Sequence, residues 1–319
     1  AKTEITHHKS ATLKLHSEKH VQGKAMLLVH QQNTEEYNEF AANRFLPALD
    51  EPLSTFSIDV DNAAYSNVRR FINQGTFPPI DAIRTEEFLN YFTYDYPTPQ
   101  GKDPVCITTE VSNAPWNMQH KLVHIGIKAK GIPTDNLPAS NLVFLIDVSG
   151  SMSDANKLSL LKSSLKLLVK QLRPQDRVAI VTYANHTKEV LASTPGSDKA
   201  KILDAIDGLY ASGGTAGGDG IQRAYRVAEN NFIKGGNNRI ILATDGDFNI
   251  GISSPEELEK MIETKRNTGI YLTVLGFGMG NYKDNRIQIL AEKGNGNHVY
   301  IDNLTEAKKV LVNEFGGTL

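Results

Sequence analysis

Three short stretches of this 319-residue chain carry oxygen-bearing side chains at spacings that suit a metal ion. The first is Asp147-Val148-Ser149-Gly150-Ser151. Its Asp, Ser and Ser fall at i, i+2 and i+4, so in an extended loop all three can face the same way. The second is the glycine-rich run Ser212-Gly213-Gly214-Thr215-Ala216-Gly217-Gly218, and the third is Thr244-Asp245-Gly246-Asp247. Asp147, Ser149, Ser151, Thr215 and Asp245 together offer two carboxylates and three hydroxyls. Hard oxygens of this kind suit Mg²⁺, which takes six in an octahedron and keeps some positions for water or a partner; Mn²⁺ or Ca²⁺ are the alternatives. Zinc, which prefers His and Cys, is a poor match. Gly213 and Gly214 allow the sharp turn that would carry Thr215 to the ion. A plainer reading of the same residues is helix capping, because Ser, Thr and Asp after a strand often cap the next helix. It would require three loops to converge by accident.

Convergence depends on the elements that carry the loops. Leu142-Val143-Phe144-Leu145-Ile146 is a continuous apolar run, as expected of a strand buried on both faces. Leu158, Leu161, Leu165, Leu168 and Leu172 follow at steps of three and four, one stripe of a helix. Strands are expected at 177–183, 187–191, 240–243, 270–275 and 298–301. The first two share a tight connection and so pair antiparallel. Helices are expected at 198–209 and 220–232, from Ser254-Pro255-Glu256-Glu257 onward, and near Arg286 and Ala307. This alternation predicts a doubly wound, mostly parallel six-stranded α/β sheet with one antiparallel edge strand. In such sheets ligands sit beyond the carboxyl ends of the strands, where the candidate loops lie.

Ahead of a Pro-containing linker, 131–140, the texture differs. Residues 1–32 are polar and read as a tail or a lone edge strand. Residues 33–139 read as a smaller α+β domain and 140–319 as the sheet domain. In the smaller domain the pattern predicts helices at 36–45, 63–72 (with Val68, Phe71 and Ile72 on one face) and 83–92. Strands are predicted at 54–60, 105–111 and 122–127, the last two flanking Trp116, and the aromatics at 91–96 read as filling for a small core.

The Asp147-Val148-Ser149-Gly150-Ser151 stretch, with Thr215 and Asp245, resembles the metal-ion-dependent adhesion site of von Willebrand factor type A domains. The resemblance covers the chain from about Asn141 to its end. It implies a Rossmann-like fold in which Asp147, Ser149, Ser151, Thr215 and Asp245 hold a divalent ion directly or through water. It also implies a non-enzymatic module whose ion captures an Asp or Glu side chain of a protein partner. A second resemblance lies in Ser54-Thr55-Phe56-Ser57-Ile58-Asp59-Val60-Asp61, Asn67-Val68-Arg69-Arg70-Phe71 and Arg84-Thr85-Glu86-Glu87-Phe88-Leu89-Asn90-Tyr91-Phe92. These are similar to the segment preceding this domain in bacterial cell-envelope proteins, often lipid-anchored behind a signal peptide and followed by a further domain. That implies an envelope location, periplasmic or at the surface, with the membrane reached only through a lipid anchor missing from this chain. The cytoplasm stays open as the alternative. The expected state is a monomer. Ala1 in place of Met, and a sequence that stops at Glu314-Phe315-Gly316-Gly317-Thr318-Leu319, read as a processed or trimmed product.

Composition narrows the classes further. Lys and Arg number 34 against 36 Asp and Glu, so the net charge of −2 gives no support to nucleic-acid binding. The single cysteine, Cys106, excludes an internal disulfide or a Cys-based zinc site. No apolar run approaches the roughly 18 residues of a membrane span. Ile58-Asp59-Val60-Asp61 suggests a phosphatase of the haloacid-dehalogenase type, with Asp59 as nucleophile, but Ala63 stands where Thr or Val is expected, and a strand-end turn fits better. The glycine-rich loop lacks the Gly-Lys-Ser/Thr ending of a P-loop. His7, His8, His16, His20 and His30 have no helical metal spacing, His186 reads as a hairpin-turn residue, and no histidine is placed to activate Ser149 or Ser151. Asp219 reads as a helix cap. Asp247 reads as a loop or outer partner, and is the sole volunteer for a general base if the site were a metal-dependent hydrolase. An ion that only staples the loops is the third reading.

Overall fold

A computed structural model describes residues 33–39, 43–55, 60–131, 137–214, 218–246 and 255–313. The expected tail at 1–32, the middle of the strand expected at 54–60, Thr215, Asp247 and the Ser254 cap lie outside the described residues. Residues Asn33–Leu319 make one compact unit.

Helix α1 (Ala63–Asn73) buries Ala63, Val68 and Phe71, as the apolar spacing predicts, but Ile72 is 65 % exposed. The helix expected at 36–45 does not form in its described part: 36–39 and 43–45 are irregular. Tertiary pairing wins there. Thr34 N–H donates to Gly280 O at 2.7 Å and Glu36 N–H to Tyr282 O at 3.0 Å, so 34–36 runs as an extended rail along the 280–283 loop. Glu35 fixes it, accepting from Gly280 N–H (2.7 Å) and from both terminal nitrogens of Arg70 on α1 (2.8 and 2.9 Å). A short 3₁₀ turn at Ile80–Ala82 leads to α2 (Thr85–Asn90). Buried Glu87 on α2 accepts from Ala64 N–H in the first turn of α1 at 2.7 Å, where a carboxylate is favoured by the unpaired amides. Tyr65, Phe88, Tyr91 and Phe92 then pack ring on ring. Strands β1 (Val105–Ala114) and β2 (Asn117–Ala129) form an antiparallel hairpin with Trp116 in its turn.

The sheet begins with β3 (Ser140–Asp147), whose eight residues are all buried. Parallel neighbours are β4 (Arg177–Tyr183) on one side and β6 (Asn237–Thr244) on the other. β7 (Ile270–Gly276) and β8 (His298–Tyr300) continue in parallel beyond β6, and β5 (Lys188–Pro195) is the antiparallel edge beside β4. The order β5-β4-β3-β6-β7-β8 reverses the direction of winding between β3 and β6. Alternate β3 side chains serve opposite faces, as a pleat requires. Leu142, Phe144 and Ile146 meet the leucine stripe of α3 (Leu160–Gln171) and Ile202 and Ile206 of α4 (Lys199–Asp207). Val143 and Leu145 meet Ile221, Ala224 and Tyr225 of α5 (Gly218–Asn230), in a layer shared with Ile262 of α6 (Pro255–Arg266) and Ile287 of α7 (Asp284–Lys293). Full burial of each such side chain stabilises by about 1.5–3 kcal/mol, which fixes the strand ends in place. Helix α8 (Leu304–Lys308) packs over the α3 face, capped by Asn303 accepting from Glu306 N–H at 3.0 Å.

The β8 edge is where α1 docks. Ser66 Oγ donates to Tyr300 O at 2.7 Å, and Arg69 bridges Asp302 (2.5 Å) and Glu306 (2.7 Å). On the same strand His298 is fully buried, with Nε2 2.6 Å from Tyr282 OH. Burial pushes its pKa down to about 4, against an ordinary 6.5; the Asp284 charge opposes the shift and Arg84 adds to it. A histidine held neutral in the fold but free to charge in the unfolded chain contributes stability that is present above pH 6.5 and is lost as pH falls toward 4. From pH 7 to pH 5 the loss expected from this residue is about 2 kcal/mol, at 1.36 kcal/mol per pKa unit. Urea unfolding at the two pH values checks it: His298→Gln should flatten the dependence in this window, and an unchanged slope would refute the assignment.

Candidate metal centre

Asp147 is the last residue of β3, and Asp245 follows the last residue of the parallel neighbour β6. With Ile146 opposite Ala243, the two carboxylates leave the sheet at the same edge, and both are fully buried. Thr244 Oγ1 stands 3.5 Å from Asp147 Oδ2 and accepts from Gly246 N–H at 3.0 Å. Asp147 Oδ1 accepts from Ser149 N–H at 2.8 Å, which curls the chain so that the Ser149 and Ser151 hydroxyls meet at 2.9 Å.

The glycine-rich loop is stitched to this turn. Gly150 N–H donates to Gly213 O and Ser212 N–H to Val148 O, both at 2.8 Å, and Gly214 N–H donates to Asn185 Oδ1 at 2.7 Å. Asp147, Ser149, Ser151 and Asp245 are thus brought together with the loop that leads to Thr215; Thr215 itself lies outside the described residues. Helix α5 starts at Gly218, so Asp219, expected as its cap, falls within the first turn instead.

Two residues that the sequence reading passed over complete the site. Lys157 Nζ, buried, lies 3.0 Å from Asp245 Oδ2. Asn281, on the loop railed by 34–36, donates to the same oxygen at 3.0 Å and accepts from Lys157 Nζ at 3.0 Å. One signal could have revealed Lys157: it stands four residues before Leu161 and so heads the buried stripe rather than the solvent face.

Burial pushes the Asp147 carboxyl up to about 6; donation from Ser149 works against that rise, and the Asp245 charge adds to it. A buried carboxylate that resists ionisation is one that a nearby cation would stabilise. Among the described residues no three His, Cys, Asp or Glu side chains gather into a metal cluster. An ion here would therefore draw on serine hydroxyls as well as the two aspartates, a donor set that fits a hard dication.

The sequence matches the profile of the von Willebrand factor type A domain over residues 141–313, more than half of the chain, and one described as von Willebrand factor over 31–124. YfbK of Escherichia coli (strain K12), an uncharacterised protein, is 50 % identical over 288 residues, covering 88 % of this chain and 50 % of that one. This chain therefore spans about half the length of that curated relative. Among solved structures, BatB of Bacteroides thetaiotaomicron is 22 % identical with a TM-score of 0.47, covering 56 % of this chain and 97 % of that one. Proximal thread matrix protein 1 from the mussel byssus, solved with zinc in its adhesion-site motif, is 25 % identical with a TM-score of 0.45, covering 56 % and 45 %. The doubly wound sheet, the loops gathered at its carboxyl edge and the extent of the profile match agree: the chain belongs to the von Willebrand factor type A domain family.

Proposed function

We propose that this protein is a non-enzymatic module that captures an acidic side chain of a partner protein through a divalent cation held by Asp147, Ser149, Ser151, Thr215 and Asp245. The family is known for metal-dependent contacts between proteins. The observation that carries the finer reading is the meeting of the Ser149–Ser151 hydroxyl pair with two buried carboxylates where the winding of the sheet reverses. Bound there, Mg²⁺ would supply a Lewis-acidic coordination position for an incoming carboxylate.

The chain's own residues do the rest. The hydroxyls coordinate without cancelling charge, so the site stays electrophilic, and the buried setting strengthens attraction to an anion. Backbone bonds from Gly150 to Gly213 and from Ser212 to Val148 hold two of the three loops in register before any partner arrives, which lowers the ordering cost of binding.

We further propose that 33–139 and 140–319 are two domains, a division supported by profile matches that fall on either side of the linker. The envelope location, the lipid anchor and the monomeric state stand as proposals with it. Among the described residues no helix is long and apolar enough to cross a membrane.

The test is calorimetry of Mg²⁺ and Mn²⁺ into chelator-stripped protein. One site per chain is expected, weakened at least tenfold in the Ser149→Ala/Ser151→Ala double variant; unchanged binding in that variant would remove the ligand assignment. Pull-down from envelope extracts with and without chelator then tests capture of a partner.

A further inference from the structure

Lys157 is an unusual occupant for a cation site. Its ammonium sits on Asp245, a carboxylate that the metal reading needs, and only 4 % of the side chain is exposed. Nor is the contact a loose surface pairing. Asn281 clamps both partners at 3.0 Å, and the aliphatic stem lies so close over Gly278 that a Cβ there would come 2.3 Å from Lys157 Cε. Helical geometry breaks at Lys157 itself (φ −116°, ψ −107°), inside the turn Ala155–Ser159 that leads into α3. A buried ammonium is costly unless paired, and here its pairing is built from three separate loops.

We propose that Lys157 is a tethered cation that sets the metal affinity of this site and keeps it assembled when no metal is present; this rests on the metal reading above. Asp147 and Asp245 lie buried side by side at the ends of β3 and β6. With no metal bound, the ammonium offsets one of the two charges and holds Asp245 and Asn281 together. A dication that draws on Asp245 meets a fixed positive charge and competes with it, so binding is weaker than two carboxylates alone would give. The same charge has a second effect. Two carboxylates, one ammonium and one dication leave a surplus of one positive charge, whereas without Lys157 the loaded site would be neutral. Lys157 thus trades metal affinity for attraction to an acidic partner.

Calorimetry with Mn²⁺ and Mg²⁺ alone, joined to thermal melts with and without metal, decides the matter. Lys157→Met should bind Mn²⁺ at least ten times more tightly than wild type, melt at a lower temperature when stripped, and recover most of that loss when loaded. Lys157→Gln, which can still donate to Asp245 but carries no charge, should show the same gain in affinity with a smaller loss of apo stability, and stands in if the Met variant does not fold without metal. Equal or weaker metal binding in both variants, while Ser149→Ala/Ser151→Ala abolishes binding to the wild-type site, would overturn the role of Lys157 and leave the metal site standing. Absence of binding in wild type and in the Lys157 variants alike would overturn the metal reading and this inference with it.

Discussion

Arg84→Met should destabilise the protein by about 3–5 kcal/mol, the cost of breaking a buried ion pair by removing one partner. Arg84 reaches Glu87 through Nε and Asp284 Oδ2 through a terminal nitrogen at 2.6 Å, and all three side chains are buried. Its loss would strand two carboxylates. Glu87 already has its pKa raised by burial in spite of the neighbouring guanidinium, so it has no reserve with which to stay charged alone. Glu87 also holds Ala64 N–H at the start of α1, which makes the arginine a joint between α1, α2 and α7. At about 1.5 °C per kcal/mol for a protein of this size, the melting temperature should fall by about 4–8 °C. Limited proteolysis should cut between residues 43 and 92 before the sheet is attacked. Replacing all three partners (Arg84→Met, Glu87→Met, Asp284→Leu) should recover most of the loss, since apolar residues of similar volume need no counter-charge. Wild-type stability in the single variant would show that the network contributes little to docking α1 and α2.

The parts of this molecule that were legible in the sequence are those whose signal is local. A strand buried on both faces must be apolar without interruption, and Leu142–Ile146 is; a helix lying on such a sheet must repeat at three and four, and Leu158 to Leu172 does. Asp147, Ser149 and Ser151 share one short loop, so their convergence follows from backbone geometry alone. Asp245 becomes legible once β6 is placed beside β3. What escaped is set by distant partners. The helix expected at 36–45 gives way because the 34–36 backbone finds its hydrogen bonds on a loop almost 250 residues further on, and no periodicity encodes that. Lys157 was hidden by its type: lysine on an amphipathic helix is a solvated residue by default, and only Asp245 and Asn281, which lie far along the chain, make its burial tolerable. Ile72 errs the other way, an apolar residue at the correct spacing but beyond the edge of the surface that α1 covers.

Gly246→Ala should cost about 2–5 kcal/mol and loosen the metal centre with it, because two separate constraints meet at this residue. Its φ is +97°, where an alanine pays about 1–2 kcal/mol. A Cβ would also stand 2.3 Å from the Lys283 backbone nitrogen and 3.1 Å from Tyr282 Cα, a contact with main chain that no rotamer relieves. Overpacking of this kind adds about 1–3 kcal/mol. The neighbouring loop cannot simply retreat, since Tyr282 O is held by Glu36 N–H and Gly280 by both Thr34 and Glu35. Displacement would instead shift the 245–246 turn and carry the Asp245 carboxylate away from Asp147 and the serine hydroxyls, so Mn²⁺ affinity measured below the melting transition should fall at least tenfold. Gly75→Ala is the matched control: φ is +70° there, but nothing lies within 4 Å of the added carbon. It should show the backbone cost alone and leave Mn²⁺ binding untouched. The difference between the two variants in urea unfolding isolates the close approach of the 245–246 turn to the 282–283 backbone. Equal destabilisation and equal metal affinity in both would mean that the packing of this loop does not support the site.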